Sequence, residues 1–140
     1  MIHIHGQTKE KAYDTLMKMY EQRLAKSSIT IVYHSHKLTM EAYLEKLNEY
    51  TGELVLLDER GEEFTSASFA KKVRECQLLG NDTHFAIGHF DGWPKHQDGP
   101  QLRRISLSKM TFPHELASVM FIEQMYRATE ILRGSAYHKD

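Results

Sequence analysis

The chain has 140 residues, 41% of them hydrophobic and 26% charged, which excludes disordered and collagen-like classes and leaves enough length for one sizeable core. Its formal net charge of -1 argues against indiscriminate nucleic-acid binding, because nonspecific affinity comes from neutralising phosphates. A single cysteine, Cys76, rules out an internal disulfide framework and any cysteine-based zinc cluster.

Residues 1–5 alternate Ile2 and Ile4 with His3 and His5, the pattern of a short strand with one face more buried than the other. Gly6, Gln7 and Thr8 break it, and Tyr13, Leu16, Met17, Tyr20 and Leu24 then recur at helical spacing until Ser27 and Ser28. Residues 29–33, β-branched and aromatic, predict a central strand. Met40, Tyr43, Leu44 and Leu47 form the stripe of a second helix ended by Gly52. Residues 54–57 are a continuous apolar run suited to a strand covered on both faces, with 58–63 as the turn that leaves it. Thr65 or Ser66 caps a third helix with Phe69, Ala70, Val73 and Cys76 inward, so Cys76 reads as a core residue. Residues 80–82 turn, 85–87 form a strand, and 88–99 are the one long irregular stretch. A last strand at 105–107 leads through a polar loop to Pro113, which suits a helix start because its missing N–H would have no partner there. That helix is apolar on more than one side, carries the pair Glu123 and Arg127, and stops at Gly134, leaving a tail with Tyr137 and His138. Strand and helix alternate throughout, which predicts a single α/β domain with a mostly parallel sheet and helices on both faces.

In such a sheet ligands bind beyond the carboxyl ends of the strands. Here those ends offer apolar walls at Leu57, Leu107, Met110 and Phe112 and glycines at 88 and 92, which suits an adenine-bearing cofactor held by backbone hydrogen bonds. A flavin or another nucleotide fits equally, since neither a Walker A sequence nor a Gly-x-Gly-x-x-Gly fingerprint occurs. Residues 101–140 hold six Lys or Arg against four Asp or Glu, whereas the first hundred hold 12 against 15, so an anionic partner is expected at the C-terminal part. His3 with His5, and His34 with His36, are alternate residues able to share a strand face, but with no third ligand in view no metal is expected. Trp93 reads either as a lid or as an exposed loop residue, and His114 as a helix-start histidine that bonds a loop carbonyl or takes part directly. No run approaches a membrane span and no secretory leader pattern opens the chain, so a cytoplasmic protein is expected.

The string SKMTFPHELASVMFIEQMYRATEILRGSAYHK resembles, nearly throughout, the C-terminal segment of the RlmH family of ribosomal RNA methyltransferases, of the SPOUT class. Phe112-Pro113-His114, Ile122-Glu123-Gln124, Tyr126-Arg127-Ala128, Arg133-Gly134 and Tyr137-His138 carry the likeness. The resemblance implies a C-terminal trefoil knot over about residues 53–140 and S-adenosylmethionine as cofactor. By position its contacts are Leu57, Gly88, Leu107, Ser108, Lys109, Met110, Thr111 and Phe112. It also implies methylation at N3 of a pseudouridine in large-subunit (23S) ribosomal RNA within the assembled ribosome. The family acts as a homodimer, with the long helix at the interface and each tail near an active site.

Within that reading His138 handles the proton, Tyr137 orients or stacks on the base, and Arg127 or Arg133 meets phosphate or the developing anion. Two departures stand out: His89 where the family's glycine loop has a second glycine, and Ser118 where it usually has arginine. The N-terminal half is short and matches weakly, Gly6 being its clear echo. A paralogue weakened at those positions and serving as an RNA- or ribosome-binding protein is the alternative, and a small nucleotide-binding α/β module the third.

Overall fold

The computed structural model describes residues 1–89, 91–94 and 102–139. Strands and helices alternate as β1 (Ile2–His5), α1 (Lys11–Ala25), β2 (Ile31–His34), α2 (Met40–Asn48), β3 (Glu53–Glu63), α3 (Ser66–Leu78), β4 (Thr83–Ile87), β5 (Arg103–Ser106) and α4 (His114–Arg133). The strands make one parallel sheet in the order β2-β1-β4-β3-β5. Its helices lie on both faces, as the alternation predicts. Ile2, Ile4, Val55, Phe85, Ile87 and Ile105 pack against Met17, Leu24, Phe69, Val73, Phe121 and Met125 of α1, α3 and α4. On the other face Met40, Tyr43, Leu44 and Leu47 of α2 cover Leu56 and Ala86. Cys76 is buried, as its place on an apolar helix face suggests.

Local chemistry accounts for the helix ends. The Thr65 hydroxyl accepts from the Ser68 N–H (3.0 Å) and the Ser68 hydroxyl accepts from the Thr65 N–H (2.9 Å), a reciprocal cap that starts α3. Pro113 stands one place before α4 rather than inside its first turn, and Gly134 ends that helix with φ 75°. The Glu115 carboxylate accepts from the backbone N–H of Lys9 and of Glu10 (3.2 Å for the latter), fastening the start of α4 beside the loop that follows β1.

Three expectations are corrected. β1 is buried on both faces rather than one, because it runs between β2 and β4 with helices above and below. β2 is an edge strand, not a central one: a β-branched run signals a strand but not its place in the sheet. Residues 58–63 are not a turn but the second half of β3, which shifts register after Leu57 and rejoins β5 at Glu62 and Glu63. The apolar excess of α4 is met largely inside the chain, where α1 and α3 both contact it. Half of the irregular stretch, at 90 and 95–99, lies outside the described residues.

Gly61 makes the return of β3 possible. A Cβ there would sit 2.6 Å from the backbone of Arg104 and Ile105, which neither strand can yield without losing pairing. Gly61→Ala is therefore expected to destabilise the fold by about 1 to 3 kcal/mol through overpacking. An unchanged urea midpoint in that variant counts against this account of the bend.

Candidate functional site

Leu57, where the pairing of β3 with β4 ends, Gly88, just beyond β4, and the loop after β5 frame a cleft of about 430 Å³. Leu57, Ile87, Trp93, Leu107 and Phe112 give it apolar walls, and Asp58, Glu59, Arg60 and Asp91 add charge. Of the eight residues singled out for cofactor contact, Leu57, Gly88, Leu107, Ser108, Met110, Thr111 and Phe112 line this one cleft, and Lys109 does not. Met110 faces solvent, with 73% of its surface exposed.

The cleft is held open from behind by packing. A Cβ on Gly88 would stand 2.7 Å from Met40 Cε and 3.1 Å from the Trp93 ring, so a larger residue there would have to displace the end of the Met40 side chain and crowd the indole. Trp93 is buried, donates its indole N–H to the Leu57 carbonyl (2.8 Å) and stacks on Tyr43 at 5.5 Å between centroids. It is a wall of the cleft, which overturns the exposed-loop reading.

Asp58, read from sequence as a turn residue, is the buried carboxylate of the cleft. It accepts from the backbone N–H of Arg60 (3.0 Å), from that residue's Nε (3.2 Å) and Nη2 (3.1 Å), and from Arg104. Burial by itself would raise its pKa, but the Arg60 and Arg104 donors outweigh it and hold the carboxyl below its ordinary value. Glu59 in turn accepts from the Thr111 hydroxyl (2.7 Å), tying the far half of β3 to the loop after β5. Nothing in the sequence marked Asp58 except its place directly after a strand-like apolar run.

His89 takes ordinary backbone angles, since Ser28 is the non-glycine residue with positive φ among the described residues. The missing second glycine therefore leaves no strained backbone behind. The His89 ring stands 3.3 Å from Asp91 through Nδ1 and packs on His5 and His114, with centroids 5.4 and 5.9 Å away. His114 donates Nε2–H to the carbonyl of His5 (2.8 Å), the last residue of β1. This is the backbone bond expected of it, at a strand end rather than in a loop. Burial is the first cause that lowers its pKa, which keeps the ring neutral at the cleft wall. Ser118 is buried and bonds back to the His114 carbonyl (3.0 Å).

The candidates for the chemical step gather elsewhere. Arg127 pairs with Glu123 (2.7 Å), donates to His138 Nδ1 (3.2 Å) and lies 5.0 Å over the Tyr137 ring, whose hydroxyl donates to Glu123 (3.1 Å). Burial, then Tyr20 and Glu123, raise the Tyr137 phenol, so it is a neutral donor at physiological pH. Arg133 stands apart from this group, paired with Glu130 at 2.6 Å. Thirteen residues of helix separate His114, at the cleft, from Arg127, roughly 20 Å at 1.5 Å per residue. One chain by itself therefore keeps its tail away from its own cleft. Between the two runs a second groove of about 630 Å³, lined by Leu16, Tyr20, Phe64, Phe69, Met120 and Gln124 among others.

The lining suits a ligand with a flat aromatic ring and a cationic end: Trp93, Leu107 and Phe112 supply apolar surface, and Glu59 and Asp91 supply carboxylates beside the arginine-paired Asp58. No helix is long and apolar enough to cross a membrane among the described residues.

Known proteins bear on this geometry. A family model described as "Predicted SPOUT methyltransferase" matches residues 1–138. The chain is 39% identical over 138 residues to the ribosomal RNA large subunit methyltransferase H of Koribacter versatilis (strain Ellin345), covering 95% of this chain and 92% of the relative. It is 38% identical over 151 aligned positions to the protein of that name from Phocaeicola vulgatus, covering 96% and 95%. With the one from Anaeromyxobacter dehalogenans (strain 2CP-C) it shares 43% identity over 86 residues, 61% of this chain and 56% of the relative.

Proposed function

This chain belongs to the SPOUT methyltransferase family, and from that premise we propose that it is a ribosomal RNA methyltransferase using S-adenosylmethionine to methylate N3 of a pseudouridine in the large-subunit RNA of the assembled ribosome. The observation that carries the reading is the convergence of Leu57, Gly88, Leu107, Ser108, Met110, Thr111 and Phe112 on one cleft beyond the strand ends. The same reading puts the trefoil knot at about residues 53–140 and the enzyme in the cytoplasm.

When bound, the cofactor supplies an activated methyl group, so the protein's tasks are alignment, exclusion of water and management of one proton. Leu57, Leu107 and Phe112 hold the adenine side, with backbone groups of the loops at Gly88 and 107–112 as partners. Glu59 and Asp91 are the carboxylates proposed for the cationic end, since Arg60 and Arg104 already compensate Asp58. The acceptor imide N–H is weakly acidic, roughly two to three units above neutral, and removing its proton beforehand costs about 3 to 4 kcal/mol. His138, Tyr137 and Arg127 are the groups proposed to lower that cost.

Because about 20 Å of helix separates that trio from the cleft in one chain, the reading needs a homodimer in which each tail serves the partner's cleft. The apolar groove beside α4, with Leu16 and Met120 in its lining, is the face proposed for that contact.

Titration calorimetry with S-adenosylmethionine and methyl incorporation into unmethylated ribosomes test the reading together. Binding is expected to shift the fluorescence of Trp93, the one tryptophan, because its ring lines the cleft. Absence of both binding and transfer would remove the proposal. Binding without transfer favours the weakened paralogue, for which His89 and Ser118 are the residues to restore.

A further inference from the structure

The tail group does not end at α4. Arg23 of α1 lies over two rings at once, 5.5 Å from the Tyr20 centroid and 5.3 Å from that of Tyr126. Tyr20 and Tyr126 stand 5.9 Å apart, and Tyr126 meets Tyr137 edge-on at 4.8 Å. Tyr137 in turn lies under the guanidinium of Arg127. Phenol rings and guanidinium groups thus alternate in one half-buried row from α1 across α4 to the tail.

Within this row Arg23 is the charge that points to an anionic partner. Glu123 is taken by Arg127 and Tyr137, Glu130 by Arg133, and Glu21 accepts from the Tyr33 hydroxyl (3.4 Å). Arg23 spends its guanidinium on two π faces instead, which leaves its charge less compensated than that of the other arginines in the group. Aromatic rings interleaved with arginine form the kind of surface on which unpaired bases stack while the backbone meets cations.

We propose that this row is a docking ledge for a single-stranded stretch of the substrate RNA, and that Arg23 of α1 extends the RNA contact beyond the C-terminal tail, held in place by the Tyr20 ring that borders the groove assigned to the partner copy. The inference rests on the ribosomal RNA methyltransferase reading and assigns to α1 a part in substrate capture. Arg23 lies on a different element from every residue of the methyl-donor cleft, so its role is in holding RNA rather than in the chemical step.

The test is methyl transfer from labelled S-adenosylmethionine to unmethylated ribosomes by wild type, Arg23→Ala and Arg23→Lys. Loss of one stacked cation is expected to raise KM for ribosomes about tenfold in Arg23→Ala, with kcat within about twofold and a salt slope shallower by about one. Arg23→Lys, which keeps charge without the planar stack, should fall between. Donor binding by calorimetry should not move, and the melting temperature should fall by no more than the few degrees that two lost cation–π contacts account for. A KM equal to wild type in an active enzyme overturns the ledge and leaves the methyltransferase reading standing. Absence of both transfer and ribosome binding in wild type removes both. A dimer that falls apart in Arg23→Ala, seen by light scattering, makes the row a contact between copies and also overturns the proposal.

Discussion

Lowering the pH from 7 to 4 is expected to cost the fold on the order of 2 to 3 kcal/mol, once solvent screening at the partly covered His34 end is allowed for. The source is a line of three imidazoles across the face of the sheet under α2. His84 Nε2–H donates to the Thr51 carbonyl (3.0 Å), which leaves its Nδ1 to accept from His3 Nε2–H (2.9 Å). His3 Nδ1 then accepts from His34 Nε2–H (2.9 Å). In this arrangement each tautomer follows from the one before it.

His3 is 0% exposed, and its pKa is pushed from 6.5 down to about 3, first by burial, then by His34, His84 and the N-terminal ammonium. A native pKa below the unfolded one means that the unfolded chain binds more protons on the acid side. The contribution is thus whole above pH 6.5 and is lost as the pH falls from there toward about 3. Burial lowers the His34 and His114 pKa values as well, so both add in the same direction. Urea midpoints of wild type and His3→Phe at pH 7.5 and 4.5 check this. The variant should be weaker at pH 7.5, where it leaves His34 and His84 without their ring partner, and should lose less on acidification. Equal acid losses in both proteins would show that the imidazole line is not the source.

Replacing His138 by alanine is expected to slow methyl transfer by about 10² to 10³, within the range that a positioned acid or base contributes. In the present arrangement Arg127 donates to His138 Nδ1, which makes that nitrogen an acceptor. Taking a proton at Nδ1 would require Arg127 to release it, and a guanidinium freed in that way stands ready for the developing anion. Arg127→Lys should therefore also be slow, because lysine cannot hold Glu123, His138 and the Tyr137 face together as Arg127 does. Single-turnover rates with calorimetry of donor binding separate this from a cleft defect. Transfer by His138→Ala within a factor of two of wild type takes His138 out of the mechanism.

Much of this protein is legible along its chain. The alternation of strand and helix, the cap at Thr65, the stop at Gly134 and the Glu123 and Arg127 pair all follow from spacing, because the partners are near in sequence and the local geometry is regular. The cleft residues were found on the strand ends, where a parallel sheet puts its ligands. What stayed hidden has partners far along the chain. The far half of β3 pairs only because β5, more than forty residues on, returns beside it. Asp58 becomes a buried carboxylate through Arg104, and Trp93 a wall through Leu57 and Tyr43.

The sequence by itself determined the α/β class, the helix limits and the family to which the C-terminal segment points, since periodicity, caps and a long matching string are properties of neighbouring residues. Only the tertiary structure decided that β2 lies at an edge, that His3, His34 and His84 join one buried line, and that Arg23 stands over the rings of two helices. Strand order and side-chain contact depend on which distant surfaces exclude water together, and the hydrophobic pattern of a single segment is the same for several partners.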